Sequence, residues 1–218
     1  MDGIIVSGLL EEISDNIIPF FKNSNVSVHT WDTEENSRWV NKLKRYTKLC
    51  NRLDIVVEKP LYESKLLSHF YSTYSAYQNL YNKNALDKII KINPSLDTED
   101  IQYKGNLISY FNKAKISNRP LLDSYKYENC IYSSIYYKTF DERFFSGHPL
   151  AFQKLFHILK KDLGSKMSSL DKELKDLYNK DYEGSIFWKA WVDKLNIPVI
   201  QDTDLIIPNN RRTKFIKY

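Results

Sequence analysis

The sequence predicts an α/β fold, in which a mostly parallel sheet is flanked by helices and the second half is more irregular and helical. Strand-length apolar runs and segments of helical periodicity alternate four times between residues 3 and 93. Such alternation favours βαβ units with right-handed crossovers. No internal repeat, Gly/Ser-rich linker or low-complexity tract divides the chain. We therefore expect one domain over residues 1–218, made of a βαβ half at 1–97 and a second half at 98–218.

Four short apolar runs, each closed by Gly, Asp or Pro, predict buried strands in the first half. They cover residues 3–8, 26–31, 54–58 and 88–93. The first run, Gly-Ile-Ile-Val-Ser-Gly, ends in a glycine, and the last is broken by Pro94. Further extended segments are predicted at residues 127–137, 143–146 and 197–200.

Apolar residues at helical spacing predict the helices. These cover residues 9–21, 34–49, 62–81, 98–114, 149–163, 169–178 and 185–195. The apolar stripe of the helix at 62–81 is Leu66, Leu67, Phe70, Tyr74 and Tyr77, and that of the helix at 149–163 is Phe152, Leu155, Phe156 and Leu159. His69 and His157 fall inside helices, where we expect surface or boundary positions rather than ligands.

The bulk composition argues against several classes of function. The chain has 32 basic and 27 acidic side chains, and this small excess, a formal net charge of +5, does not favour nucleic acid as a partner. Cys50 and Cys130 lie far apart without metal-ligand spacing, which favours a reducing, cytoplasmic compartment. There is no signal-peptide pattern and no apolar stretch of about 18 residues, so no membrane span is expected.

Polar residues follow the predicted strands where ligands bind in parallel α/β sheets, outside the carboxyl ends. The residues at the four ends include Ser7 and Gly8, then His29, Trp31 and Asp32, then Glu58, then Asn93 and Asp97. Hydroxyls, a glycine, an aromatic ring and carboxylates together suit a nucleotide pocket. The alternative is that these are ordinary turn residues and that Asp32 caps the next helix.

Signature motifs of several enzyme classes are absent. The first strand is not followed by Gly-x-Gly-x-x-Gly, and there is no Gly-Lys-Ser/Thr of a P-loop, which excludes the Rossmann dinucleotide and NTPase patterns. The sequence also lacks the Gly-x-Ser-x-Gly elbow of α/β-hydrolases and the His-Glu-x-x-His of zinc proteases.

Short motifs in a fixed order run along most of the chain. They are Ile-Val-Ser-Gly ending at Gly8, His-Thr-Trp-Asp at residues 29–32, Phe-Tyr-Ser at 70–72, Asp-Glu-Arg-Phe-Phe-Ser-Gly at 141–147 and Tyr-Glu at 182–183. This order resembles a glycosyltransferase-like family that occurs in bacterial surface-polysaccharide loci and in phage genomes. The last motif corresponds only loosely to the family's Pro-Glu, which opens a helix.

The resemblance implies a GT-A fold, a Rossmann-like nucleotide-sugar half followed by an acceptor half. The implied activity is transfer of a sugar from a nucleotide-sugar donor to a glycan acceptor. The residues implied around the nucleotide are Ser7, Gly8, His29, Trp31, Asp32 and Asn93. Asp97 is then the ligand of a divalent Mg²⁺ or Mn²⁺, and Asp141 or Glu183 is the catalytic base.

The fourth-strand motif departs from the family pattern. Members typically end this strand in Arg-x-Arg-Pro-Asp-Leu, whereas residues 91–96 here read Lys-Ile-Asn-Pro-Ser-Leu. Asn93 replaces the second Arg and Ser95 replaces the Asp, and a serine brings no charge to a metal. Asp97 is the carboxylate that would compensate. Without that compensation, the fold would have been kept after its chemistry was lost.

A second class of function remains open, a non-catalytic structural or interaction protein such as a phage virion component. The chain has 16 Tyr, 11 Phe and 4 Trp, and such rings suit interfaces as well as cores. Residues 208–218 carry four cations interleaved with aromatic residues, which suits phosphate or an acidic protein partner. The alternative for this segment is a solvated charged tail.

Overall fold

The structure is a computed structural model that describes residues 1–8, 17–18, 21–62, 64–94, 130–134, 140, 142–178, 182 and 184–202. Its strands are β1 (Asp2–Ser7), β2 (Asn25–Trp31), β3 (Arg52–Glu58), β4 (Lys88–Ile92), β5 (Ile131–Ser134), β6 (Phe144–Gly147) and β7 (Val199–Asp202). Its helices are α1 (Glu34–Lys44), α2 (Lys65–Asn79), α3 (Pro149–Leu155), α4 (Lys160–Leu177) and α5 (Gly184–Lys194). Short 3₁₀ turns lie at Arg45–Leu49 and Lys83–Ala85.

The described strands form one sheet in the order β3-β2-β1-β4-β6-β5-β7. Neighbouring strands from β3 to β4 are parallel, as are β5 and β7, and β6 is antiparallel to both of its neighbours. Each predicted extended segment contains or overlaps one of these strands. The α/β fold class with a mostly parallel sheet is therefore confirmed.

The first four strands all end at the same edge of the sheet, which we call the carboxyl edge. Register places Ser7 beside His29 and Trp31 beside Glu58. From β1 the chain proceeds outward to β2 and β3, and it then returns to place β4 on the other side of β1. The strand order thus reverses between β1 and β4. Ligands in open α/β sheets bind at such a switch point, outside the carboxyl ends.

The two faces of the sheet differ in chemistry. One face is apolar and packs against α1 and the segment before β2. Its buried cluster includes Ile4, Val6, Ile17, Ile18, Phe21, Val26, Val28, Val40, Leu43, Ile90 and Ile92. The other face packs against α2 and carries buried polar residues near the carboxyl edge. These are Ser7, His29 and Lys91 from the strands, opposite His69, Ser72 and Thr73 of α2.

Helix α2 lies between the sheet and the later helices, so residues 66–67 and 69–77 are buried, on all sides of the helix. It begins where the Ser64 side chain accepts a hydrogen bond from the Leu67 amide. Its outer side packs on aromatic residues of α5 and of the turn after α3, with ring centroids of Phe70 and Trp188 4.6 Å apart. Aromatic pairs of this kind contribute about 0.5–1.5 kcal/mol beyond the area they bury. The helix predicted at 62–81 is confirmed.

The helix predicted at 149–163 is wrong in extent, because the chain breaks after α3 and restarts at α4. The Tyr74 hydroxyl donates to the backbone oxygen of Ile158, 3.1 Å away, inside the break. Leu159, expected on the apolar stripe, is 62% exposed. The segment predicted as a separate helix at 169–178 is the second half of α4. Its stripe of Leu163, Met167, Leu170 and Leu174 is buried.

Some predicted segments lie outside the described residues. These are most of the helix at 9–21, the helix at 98–114 and the C-terminal segment at 208–218. Among the helices that the structure describes, none is both long and apolar enough to cross a membrane.

Candidate functional site

The switch point between β1 and β4 brings together Gly8, His69 and Asn93. Gly8 has a φ of +115°, a backbone conformation that side-chain-bearing residues rarely adopt. A methyl group on Gly8 would lie 3.8 Å from His69 Cδ2 and 4.0 Å from Asn93 Oδ1, which are ordinary contacts. The backbone conformation at this position, rather than a lack of room for a side chain, therefore requires the glycine. Its backbone can approach a ligand at the end of β1 more closely than that of a larger residue.

Ser7 ties the end of β1 to α2. Its hydroxyl oxygen is fully buried and lies 2.9 Å from Thr73 Oγ1. Thr73 in turn donates to the His69 carbonyl oxygen at 3.1 Å, so Ser7 is the donor in the first bond. The side chain of Ser7 therefore holds the strand end in place from behind the carboxyl edge.

His29 is fully buried and bonds through both ring nitrogens. Nδ1 lies 2.9 Å from Ser72 Oγ, and Nε2 lies 3.4 Å from Glu58 Oε2. Burial lowers the pKa of His29 despite the nearby Glu58 carboxylate, so the ring is neutral. A proton on Nε2 pairs with the carboxylate, and the one hydroxyl proton of Ser72 lies between Nδ1 and the His29 carbonyl oxygen, 3.1 Å from Ser72 Oγ. The opposite tautomer would set two lone pairs against each other at Glu58.

Glu58 is the last residue of β3, and its carboxylate is the acceptor at the other end of this hydrogen-bond network. Its Oε2 accepts from the Tyr71 hydroxyl at 2.7 Å, and its Oε1 lies 3.7 Å from Lys160 Nζ. Burial alone would raise the pKa of Glu58. The hydrogen bonds from Tyr71 and His29, with the charge of Lys160, outweigh burial and lower this pKa. The carboxylate is therefore ionised at neutral pH.

The Ser72, His29 and Glu58 side chains have the composition of a hydrolytic triad, but the geometry excludes that role. Ser72 is fully buried between β2 and α2. Its oxygen already accepts the Gly8 amide at 2.9 Å. A nucleophile must reach its substrate, and this hydroxyl is enclosed by protein. The network is therefore a support that joins the ends of β1, β2 and β3 to α2.

Trp31 is the last residue of β2 and Asp32 follows it, and their side chains lie in different environments. The Trp31 ring is buried, stacked on Tyr71 with centroids 5.9 Å apart and edge-on to His29 at 5.0 Å. Asp32 is exposed at the carboxyl edge, and its amide donates to the Glu58 carbonyl oxygen at 2.8 Å. Thr33 caps α1, since its hydroxyl accepts from the Asn36 amide at 3.3 Å. The capping alternative for Asp32 is therefore wrong.

Asn93 follows β4 and is half-buried. Its amide donates to the Arg143 carbonyl oxygen at 2.7 Å, so the turn before β6 reaches the carboxyl edge. Of the six residues predicted around a nucleotide, the structure thus places Gly8, Asp32 and Asn93 at that edge. Ser7, His29 and Trp31 lie directly behind it, with buried side chains.

Sequence reasoning missed the partners of these residues. The partners that it did not single out are the half-buried Glu58 and the buried His69, Tyr71, Ser72, Thr73 and Lys91. His69 was expected at a surface or boundary, yet it is only 8% exposed and faces the sheet. The signal available in the sequence was a lysine inside the apolar run of residues 89–92, since buried lysines need polar partners.

The predicted catalytic and metal residues lie outside the described residues. These are Asp97, Asp141 and Glu183, as well as Ser95 at the position of the family's Asp. Within the described part of the chain, no group of three His, Cys, Asp or Glu residues could hold a metal ion. The metal site and the catalytic base therefore stay predictions.

Comparison with known proteins gives little further information. No protein-family model matches the sequence, and no curated protein does. Among solved structures, the chain is similar to the apo form of mouse xyloside xylosyltransferase 1. The match has 10% sequence identity and a TM-score of 0.44, and it covers 93% of this chain and 85% of that chain. These values are too low to carry an argument about this chain.

Proposed function

We propose that this protein is glycosyltransferase-like: it binds a nucleotide sugar at the carboxyl edge between β1 and β4 and transfers the sugar to a glycan acceptor. The observation that carries the proposal is the reversal of strand order at this point, with Gly8 and Asn93 on its two sides. In open α/β sheets a glycine after the first strand allows close approach of a pyrophosphate. The motif order at residues 3–8, 29–32 and 141–147 supports the same class.

Three residues are proposed to contact the nucleotide directly. Gly8 admits the diphosphate, and the side-chain amide of Asn93 donates to it. Asp32 ends the second strand, where a carboxylate bonds ribose hydroxyls in doubly wound nucleotide folds. Ser7, His29 and Trp31 support these contacts from behind, through their bonds and ring contacts with α2.

The transfer itself is assigned to a carboxylate base, Asp141 or Glu183. The base takes the proton from an acceptor hydroxyl as its oxygen attacks the anomeric carbon. The bond from that carbon to the nucleoside diphosphate breaks, and the diphosphate leaves. Asp97 is the proposed ligand of Mg²⁺ or Mn²⁺, which would neutralise charge on the leaving group.

Binding of donors tests this proposal. Thermal unfolding is measured with UDP-, GDP-, CMP- and dTDP-sugars in the presence of Mn²⁺. A specific donor at about 100 times its Kd should raise the free energy of unfolding by about 2.7 kcal/mol. Asp32→Asn should lose this shift, whereas Asp193→Asn on the exposed side of α5 should keep it. Absence of any shift with every donor contradicts the proposal.

Failure with every donor would favour the other class, a non-catalytic interaction protein on the same fold. Its expected contact segment, residues 208–218, lies outside the described residues and stays a prediction. That class predicts assembly or partner binding without donor binding. Measuring donor binding together with assembly therefore distinguishes the two proposals.

A further inference from the structure

Lys91 is an unusual residue for its position. It lies between Ile90 and Ile92 in β4, the middle strand of the described sheet and the neighbour of β1, and its side chain is fully buried on the α2 face. Burying an ammonium group is costly unless polar partners surround it. Its Nζ donates to the Glu142 carbonyl oxygen and lies 3.3 Å from His69 Nε2.

His69 is suited to accept this bond. Burial, and then the charge of Lys91, lower the pKa of His69 well below its usual value, so the ring is neutral. With its proton on Nδ1, the ring offers a lone pair at Nε2 to the ammonium group. Lys91 therefore bonds simultaneously to His69 of α2 and to the backbone oxygen of Glu142 at the edge of the sheet.

Glu142 and Arg143 form the turn that enters β6, which we call turn 142–143. Pairing of Ile92 with Phe144 places the turn beyond the end of β4, at the carboxyl edge. A second bond holds it there, from the Asn93 amide to the Arg143 oxygen at 2.7 Å. His69 also lies beside Gly8. The buried pair and the turn thus adjoin the same switch point.

Stability alone does not explain a lysine here. A methionine would fill a similar volume without burying an ammonium group, and replacing buried ionic groups with apolar residues is often neutral or stabilising. What a methionine cannot do is hold the backbone oxygen of Glu142. The lysine therefore serves to hold turn 142–143 in position.

We propose that Lys91 and His69 are positioning residues that fix turn 142–143, the next residues in sequence after Asp141, at the carboxyl edge. The importance of Asp141 rests on the proposed function, in which it is a candidate base. The fixing of the turn does not depend on that function and can be measured by itself.

Hydrogen exchange of the backbone amides tests the fixing directly. Lys91→Met removes the bond to Glu142, and Lys88→Met makes the same change at the other end of β4 as a control. In Lys91→Met we expect amides of residues 142–144 and the Asn93 amide to exchange about tenfold faster or more. Amides of β2 should be unchanged, and Lys88→Met should leave turn 142–143 as in the wild type. Equal exchange in Lys91→Met and wild type overturns the proposal.

A milder variant covers the case in which Lys91→Met does not fold. His69→Leu removes the contact of the ammonium group with the imidazole and leaves the bond to Glu142. Exchange should rise at the same amides by a smaller factor, and His69→Gln, which keeps an acceptor, should restore part of the protection. If neither His69 variant changes exchange at turn 142–143, the positioning role is overturned.

A second readout connects the turn to activity once a donor has been found. Lys91→Met should then lower kcat about tenfold or more while KM changes by about twofold or less, as expected for a displaced base rather than lost binding. Lys91→Arg should recover part of kcat. A rise in KM with kcat unchanged would overturn the link to Asp141. If the wild type binds no donor, the proposed function fails, and exchange alone decides the fixing of the turn.

Discussion

The imidazole Nε2 of His29 lies 3.4 Å from the Glu58 carboxylate, which joins β2 to the last residue of β3 by side chains as well as by backbone. Tyr71 donates to the same carboxylate oxygen from α2. The two strand ends and the helix are thereby fixed relative to each other. Asp32 follows immediately, with its amide bonded to the Glu58 carbonyl.

Glu58→Gln should destabilise the protein in a pH-dependent way. The pKa of Glu58 is lowered from its usual 4.5 in the folded state, so its contribution is present above that value and is lost as pH falls through the folded pKa. We expect a loss of about 1 kcal/mol in the free energy of unfolding at neutral pH. Urea unfolding of both proteins across acid pH measures it. A difference that persists undiminished at the acid end would contradict this assignment.

The buried histidines should make the protein acid-sensitive. Burial lowers the pKa of both His29 and His69 from 6.5, so below that pH the unfolded chain takes up protons first. The free energy of unfolding should then fall by up to about 1.4 kcal/mol per pH unit for each histidine. His69→Gln should flatten this slope in urea unfolding. His157→Gln, at an exposed position, is the control, and equal slopes in the two variants would refute the explanation.

Gly8→Ala should destabilise through the backbone. At a φ of +115° an alanine is strained, at a cost of about 1–3 kcal/mol, although the space for its methyl group exists. Denaturant unfolding should show a lower midpoint with an unchanged m-value. An alanine variant of wild-type stability would mean that β1 ends in a different conformation.

Asp32→Asn and Asp97→Asn should each lower turnover by about 10²-fold if the protein is an active transferase, because the first removes a proposed contact to the nucleotide and the second a proposed ligand of the metal that would stabilise charge on the leaving group. The unfolding midpoint of Asp32→Asn should change little, since Asp32 is exposed. Turnover with the donor found by thermal unfolding is the measurement. Full activity in both variants would remove these residues from the site.

Deleting residues 211–218 separates the two classes of function. In a partner-binding protein the loss of four cations and three apolar side chains should abolish assembly, and wild-type binding should weaken with added salt. In a transferase the same deletion should chiefly reduce donor affinity. Gel filtration and donor titration of the truncated protein give the answer. If neither changes, the segment is a solvated tail.

The sequence predicted those features that depend on local patterns. The apolar runs at 3–8 and 88–93 gave strands, because burial on both faces leaves a continuous apolar signature. The alternation of elements also placed Asp32 at the end of a strand. The break after α3 was not predictable, because Phe156 continues the apolar stripe and the hydroxyl inside the break comes from Tyr74 in another helix.

The buried polar contacts were equally unpredictable from the sequence, because the residues that form them are distant along the chain. His29 bonds to Ser72, 43 residues away, and Lys91 bonds to Glu142, 51 residues away. Neither partner can be chosen from composition or spacing. Strand order is also a property of the whole sheet, and it decides which strand ends meet.

The polar layer beneath α2 also bears on how the strands find their pairing during folding. The apolar residues of β1 and β4 lie on both faces of the sheet, so shifting either strand by one residue would still bury hydrophobic surface on both faces. Such a slip would, however, move Ser7 or Lys91 to the apolar face and leave their polar atoms without acceptors. The hydroxyl, imidazole and ammonium groups of this layer thus destabilise slipped strand pairings. Mutants that make the layer apolar should therefore misfold more often than the stability of their native state suggests.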